Sequence, residues 1–440
     1  MATRHRGVLV ALCLGVLVAQ TDSLVANLAV REIGVRLHAG VAALQWVVDA
    51  YNLAYAVLLL TGGLLGDLYG RRRGFVAGVA LFLVGSATCG LAPTIGVLII
   101  GRAVAGTGAA LLLPCSLAIL RVVWTDAAAR GRAIGLWAAC NGIAIAIGPT
   151  LGGVLIQTTG WRSVFLLILP PAALALALAL RAVPESADPH GRHFDATGQI
   201  TGALTLGALA MAAIQGRDDP RVLAGAVTVS MLAGAVFVAA ERRRGAAALV
   251  PLGLLRLPAL VGALAAAAGM TFAMYGMMFL VPLVWQAADG RSALAAGLAL
   301  VPMALVFILV SQQSGRLTQL WGARLMIGLG TALIGAALLV LAATRAGLPM
   351  PLAQLGLGLA GLGMGLNTGP VNAVAVAAVP AARAGTAAAL INVARMVGAT
   401  LGVAALGAVY ALGGGLRAAM LVGAVAPLVG AVVAVRAIEG

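Results

Sequence analysis

The sequence predicts an all-α integral membrane protein built as two six-helix bundles with two extra central transmembrane helices, fourteen spans in all. Three observations lead there. Hydrophobic residues make up 62% of the chain, charged residues 9%, and the mean hydropathy is +1.07, far beyond what a water-soluble core requires. The apolar residues fall in runs of about 20, the length that crosses a bilayer. The first and last six runs echo each other.

In chain order the runs are 8–29, 42–65, 75–91, 95–119, 133–157, 163–181, 199–215, 222–240, 258–285, 294–311, 325–344, 351–376, 387–412 and 416–436. The opening MATRHRGVLVALCLGVLVAQTDS has the basic start and apolar stretch of a secretory signal. The run continues to about Val30, however, so a first span is expected. Two longer polar, Pro-containing loops, 182–198 and 241–257, divide the chain. The expected domains are 1–182 (first bundle), 183–257 (two additional spans with flanking loops) and 258–440 (second bundle). The seventh run is the shortest. Dropping it together with the eighth leaves twelve spans and the same sidedness.

All 28 basic residues are Arg. With the N-terminus in the cytoplasm, 18 of them fall in inner loops and eight in outer loops, with Arg102 and Arg395 inside spans. That asymmetry places both termini inside. The net charge of +15 therefore reads as membrane topology and not as an affinity for nucleic acid.

The repeat is legible residue by residue. GGLLGDLYGR (62–71) returns as SGRLTQLWGA (314–323): Gly63, Leu65, Leu68, Tyr69 and Gly70 align with Gly315, Leu317, Leu320, Trp321 and Gly322. GTGAALLLP (106–114) and GLGMGLNTGP (361–370) are similarly related. In the first copy Arg71, Arg72 and Arg73 follow the end of span 2, where they hold topology and complement a helix C-terminus. Asp67 does not fit such a place. It needs a partner, either Arg71 or a helix N-terminus of the other bundle, and reads as a latch.

GGLLGDLYGRRR resembles the loop signature of the major facilitator superfamily. The likeness runs from about Leu17 to Val409. LIIGRAVAGTGAA (98–110) is similar to the span-4 motif with its central Arg, with Ala105 in place of a customary Gln. AIAIGPTLGG (144–153) resembles the span-5 antiporter motif through Gly148, Pro149, Gly152 and Gly153. TDSLVANLAV (21–30), with Asp22 and Asn27, is similar to span 1 of the fourteen-span drug/proton antiporters, although Arg31 replaces the usual Pro. QWVVDAYNL (45–53), GWRSVF (160–165), FDATG (194–198) and INVARMVGATLG (391–402) fit the same branch, with Ile168 where an Asn is usual. The resemblance implies a proton-coupled exporter of amphipathic or cationic drugs or antibiotics, working by alternating access. Gly66, Asp67, Gly70 and Arg71 would form the conformational latch.

Ionised groups cost about 2.5–3.5 kcal/mol each at mid-bilayer, so Asp22, Asp49 and Arg102 require a reason. At a rise of about 1.5 Å per residue, each lies about 10 Å from the outer end of its span. Two carboxylates sharing one guanidinium cannot both be compensated. One stays ionised against Arg102 while the other handles protons, and Asp22, in the span-1 motif, is the expected carrier. Asn27, Asn392, Arg395, Trp285 and Tyr275 are candidate cavity residues, with Met270, Met274, Met277 and Met278 as further lining. In GPTLGG, Gly148 and Gly152 bring helices close beside a kinking proline.

Other chemistry finds little support. Cys13, Cys89, Cys115 and Cys140 sit in apolar runs and read as packing residues. His190 and His193 read as loop residues without a metal-ligand set. No nucleophile–base spacing suggests an enzyme, and no cofactor is expected. The expected partners are a small-molecule substrate, protons and the lipid bilayer of the cell membrane, with the chain a monomer. The competing readings are uptake or facilitated transport of a metabolite and, more remotely, a receptor.

Overall fold

The computed structural model describes residues 2–188, 195–216, 219–245, 248, 252–343, 350–380 and 384–438. His190, His193 and Phe194, with Arg192, Arg217, Arg345 and Arg383 of the arginine tally, lie outside them. Among the described residues the regular structure is helical: α1 (Ala2–Arg36), α2 (Val41–Tyr69), α3 (Arg71–Leu91), α4 (Ile95–Val123), α5 (Ala127–Thr159), α6 (Arg162–Leu166), α7 (Leu169–Ala182), α8 (Ala196–Gln215), α9 (Pro220–Arg244), α10 (Pro258–Ala287), α11 (Ala293–Trp321), α12 (Ala323–Ala343), α13 (Met350–Ala377), α14 (Ala384–Val409) and α15 (Gly415–Ala437).

Over the described residues every predicted run falls in helix, the sixth being shared by α6 and α7 and the thirteenth passing from α14 into a π-helical turn at Tyr410–Gly414. Eleven stretches of described residues are long and apolar enough to cross a membrane, one of them, Thr386–Ala437, covering α14 and α15 together. This is a multi-pass membrane protein. Where Arg31 replaces the usual Pro, α1 continues to Arg36, because a residue with its own N–H has no reason to end the ladder.

The chain divides into two compact units, Met1–Phe194 with Ser292–Gly297, and Asp195–Arg291 with Leu298–Gly440. In the first unit α4 packs on both α2 and α3, and α1 on α5. The seams depend on missing side chains. A Cβ on Gly62 would run into the Ala110 carbonyl, and one on Gly106 into the backbone of Tyr51. Backbones approach this closely only where residues are small. The core of this unit gathers Leu12, Phe75, Phe82, Leu112 and Ile119, all sealed from solvent.

In the second unit α10 packs on α14 and α15, and α12 on α13 and α15. Gly361 meets the backbone of Met303, repeating in α13 and α11 the seam that Gly106 makes between α4 and α2. The loop glycines correspond as well: Gly70 has φ +119° and Gly322 has φ +81°, a region in which a side chain is strained. The additional helices α8 and α9 form a hairpin within this unit. Its open end is tied by Arg244 Nη1 to Asp195 Oδ1 at 2.9 Å, and Asp195 also caps α8 by accepting from the Gly198 N–H at 2.7 Å. The face of α9 with Met231 and Leu232 is exposed, the surface that lipid covers.

Candidate functional site: a buried ion pair and a glycine turn

Two constellations of the first unit carry the ionisable groups. The first lies among α1, α2 and α4. Asp22, Asp49 and Arg102 are all buried, although each stands in an apolar helix. Arg102 Nη1 donates to Asp22 Oδ2, and the pair is almost wholly sealed. Arg102 Nε donates to the Val47 carbonyl at 2.9 Å. The guanidinium carbon lies 4.5 Å from the Tyr51 ring centroid and 5.9 Å from that of Phe165. One cation is thus compensated by a carboxylate, a carbonyl and two π faces, as a low-dielectric site demands.

Asp49 is placed differently. It is two residues beyond Val47, fully buried, and neither carboxylate oxygen has a hydrogen-bond partner among the described residues. The expectation that Asp22 and Asp49 share the guanidinium is therefore corrected. Val47 presents its carbonyl to Arg102, and residues two apart on a helix, as Val47 and Asp49 are, do not face the same way. Asn27, a turn beyond Ser23, donates to the Ser23 carbonyl at 3.1 Å, and its side-chain oxygen has no partner among the described residues.

The second constellation is the turn between α2 and α3. Arg71 reaches back one turn to Asp67, with Nε donating to Oδ1 at 2.9 Å and Nη2 at 2.8 Å from the same oxygen. Arg71, one turn on, is thus a partner of Asp67. Arg71, Arg72 and Arg73 open α3, and Arg73 Nη1 also reaches back to the carbonyl of Tyr69, the last residue of α2, at 3.5 Å. Gly70 ends α2 one residue earlier than a continuous helix would allow, which puts three cations where a helix dipole disfavours them. Compensation comes from 113 residues away. Glu185 Oε1 accepts the Arg72 N–H at 3.0 Å, and Oε2 accepts the Arg73 N–H at 3.3 Å. The flanking backbone joins in through Arg71 N–H to the Ser186 carbonyl and Asp188 N–H to the Asp67 carbonyl, both 2.8 Å. Gly66 packs against Cys115, which also touches Gly74, so this thiol fills the crossing of α2, α3 and α4.

The span-5 motif divides its work. Gly148 faces Leu24, and Gly152 faces Val25, both on α1, while Gly153 faces Leu294. Pro149 lies inside an uninterrupted α5, and its carbonyl is where a Cβ on Gly297 would collide.

The proposed cavity residues of the second unit do not form one group. Tyr275 and Trp285 are buried on α10, ten residues and so about 15 Å apart; Arg291 stacks over Trp285 at 5.8 Å. Arg395 meets the Thr368 carbonyl from Nη2 at 3.4 Å, and the Thr368 hydroxyl lies 3.8 Å from the Met270 sulfur. Asn392 donates to the Ala388 carbonyl at 3.2 Å, within its own helix. Met274, Met277 and Met278 are buried on the same helix.

Sequence reasoning did not find Glu185, Tyr51 or Phe165. The last two stand inside QWVVDAYNL and GWRSVF, where aromatic spacing alone does not point to Arg102. Glu185 carried no local signal.

An all-helical, multi-pass chain with a buried ion pair in one bundle and a repeated glycine turn has the architecture of a membrane transporter. The model of the Major Facilitator Superfamily matches residues 12–403, and the chain belongs to that superfamily. It is 38% identical over 408 residues to the multidrug resistance protein Stp of Mycobacterium tuberculosis (strain CDC 1551 / Oshkosh), covering 92% of this chain and 75% of Stp. It is 33% identical over 416 residues to the drug efflux pump JefA of the same strain, covering 93% and 81%. The methylenomycin A resistance protein of Streptomyces coelicolor is 30% identical over 404 residues, with 91% and 84% covered. Among solved structures, a mutant of the peptide transporter POT matches with a TM-score of 0.73 at 13% identity, covering 98% and 94%. A bacterial homologue of the human lysosomal transporter Spinster matches with a TM-score of 0.69 at 17% identity, covering 98% and 96%. These two show the fold.

Proposed function

We propose that this chain is a proton-coupled exporter of small amphipathic or cationic compounds, drugs or antibiotics among them, working by alternating access. Fourteen spans would be arranged as bundles 1–182 and 258–440 around an additional pair in 183–257, with both termini in the cytoplasm. The printed names of Stp, JefA and the methylenomycin A resistance protein support export of drug-like molecules.

The observation that carries proton coupling is the unpartnered, fully buried carboxyl of Asp49 beside a compensated Asp22–Arg102 pair. An ionised carboxylate with no donor in an apolar site is far too costly to persist. In this reading Asp49 takes up the transported proton and releases it when the site opens to water or when a cationic substrate takes its place. Asp22, held by Arg102, supplies fixed charge. This assigns the carrier role to Asp49 and positioning to Asp22. One charge crossing the membrane is worth about 2.3 kcal/mol per 100 mV, enough to drive uphill export. Asp67, Gly66, Gly70 and Arg71 act as the latch that stabilises one access state; Gly148 and Gly152 give α1 and α5 the close seam along which they shift, and Pro149 and Gly153 do the same toward the start of α11. Asn27, Asn392, Arg395, Trp285 and Tyr275 remain candidates for substrate contact.

Purified protein in proteoliposomes with an imposed pH gradient tests the reading, with ethidium as probe. Uphill movement of the dye coupled to counter-movement of protons is expected. Flux that ignores the gradient would overturn the coupling.

A further inference from the structure

Asp188 and its neighbours follow α7 as a short strap laid across the α2–α3 turn. The strap is not loosely placed. Arg71 N–H donates to the Ser186 carbonyl and Asp188 N–H to the Asp67 carbonyl, both at 2.8 Å. The Glu185 carboxylate lies between them, taking the Arg72 and Arg73 amides on separate oxygens and the Ser186 amide at 3.0 Å. Arg73 Nε stands 3.8 Å from Oε2, and Arg72 Nη2 donates to the Leu180 carbonyl. A Cβ on Gly70 would come within 2.6 Å of the Glu185 carboxylate. Gly70 is thus required twice, by its φ and by the seat it leaves for Glu185.

The electrostatics are unusual. The first amides of a helix have no partner in their own helix, and three arginines in the first turn of α3 worsen the charge there. Glu185 answers both needs with one group. It does so on a segment that belongs to the end of α7, so the position of the turn is set by where α7 ends.

We infer that Glu185 is a positioning residue of the export cycle: through the strap it holds the α2–α3 turn, and with it the Asp67–Arg71 pair, in a fixed place relative to α7. The inference rests on the exporter reading for its functional half and on the hydrogen bonds alone for its structural half. The Asp67–Arg71 pair itself is a contact within the turn. Without the Glu185 carboxylate the two backbone bonds of the strap remain, but the Arg72 and Arg73 amides lose their acceptor, and the turn passes the movement of α2 and α3 to α7 less firmly.

Two measurements on the full-length protein test this. In detergent, amide exchange at Arg72 and Arg73 should accelerate by about tenfold or more in Glu185→Ala, because helix-start amides without an acceptor open at little cost. In proteoliposomes, the maximal rate of ethidium export should fall roughly fivefold or more with KM within about twofold, the pattern of an interaction that governs turnover and not substrate affinity. Glu185→Asp, which keeps the carboxylate, should recover most of both; Glu185→Gln, which keeps an acceptor without charge, should recover the exchange more than the rate. Unchanged exchange in Glu185→Ala overturns the inference, and so does faster exchange with an unchanged export rate. If the wild-type protein does not concentrate ethidium, the exporter reading fails for that dye, and the strap is judged on the exchange result alone.

Discussion

Arg102 stands over the Tyr51 ring, 4.5 Å from guanidinium carbon to centroid, while the Tyr51 hydroxyl donates to the Ala19 carbonyl on α1 at 3.2 Å. Tyr51 therefore supports the Asp22–Arg102 pair from beneath and ties α2 to the helix that carries Asp22. Tyr51→Phe keeps the π face and loses one hydrogen bond worth about 1 kcal/mol. Export within roughly fivefold of wild type is expected. Tyr51→Ala removes both and leaves a void beside a buried charge; a loss of about 3 kcal/mol or more should lower the melting temperature of the purified protein well below that of Tyr51→Phe. Equal melting temperatures would remove the supporting role.

Asp49 and Asp22 are expected to fail in different ways. Asp49→Asn keeps shape and removes the exchangeable proton, so uphill export should vanish while downhill flux of ethidium persists through a folded protein. Asp22→Asn strips the counter-charge from a sealed Arg102, and breaking a buried pair costs about 3–5 kcal/mol. Its first symptom should be a reduced yield in the membrane, as for Arg102→Ala. If Asp49→Asn still concentrates dye in response to a pH gradient, Asp49 does not carry the proton.

Asp67→Asn should slow turnover and leave substrate affinity within about threefold, since the mostly buried Asp67–Arg71 pair belongs to the α2–α3 turn and acts in the latch. Equilibrium binding of ethidium to purified protein, set beside the export rate, separates the two. A large loss of binding at an unchanged rate would place Asp67 in recognition.

Sidedness follows from the arginine asymmetry. Arg243 and Thr158 are both exposed, at the end of α9 and near the end of α5. Single cysteines introduced at these positions in a Cys-free background should react oppositely with an impermeant thiol reagent on intact cells: Thr158→Cys labelled, Arg243→Cys protected. The reverse pattern would invert the topology.

Much of this architecture is legible in the sequence because it rests on local or repeated signals. Apolar runs become helices since a backbone in lipid must satisfy its own hydrogen bonds. The repeat places Gly70 and Gly322 in equivalent turns, and both have positive φ. Asp22 and Arg102 can be paired from depth alone, because opposite charges in an apolar medium have few other partners. What depth cannot give is rotation about the helix axis. Asp49 is buried as expected, yet neither of its oxygens has a hydrogen-bond partner among the described residues, Arg102 included. The arginine triplet belongs to the start of α3 and not to the end of α2, and nothing before Gly70 signals that the next helix begins at once. Glu185 is a contact between residues 113 positions apart and cannot be read from spacing.

The glycine seams have a genetic consequence. Glycine is encoded by GGN triplets, and any single-base change that alters the residue adds at least a Cβ. At Gly62 and Gly106 that atom would meet opposing backbone, which cannot step aside as a side-chain tip can, and overpacking of this kind costs about 1–3 kcal/mol. Every missense mutation one base away at these codons is thus a damaging one.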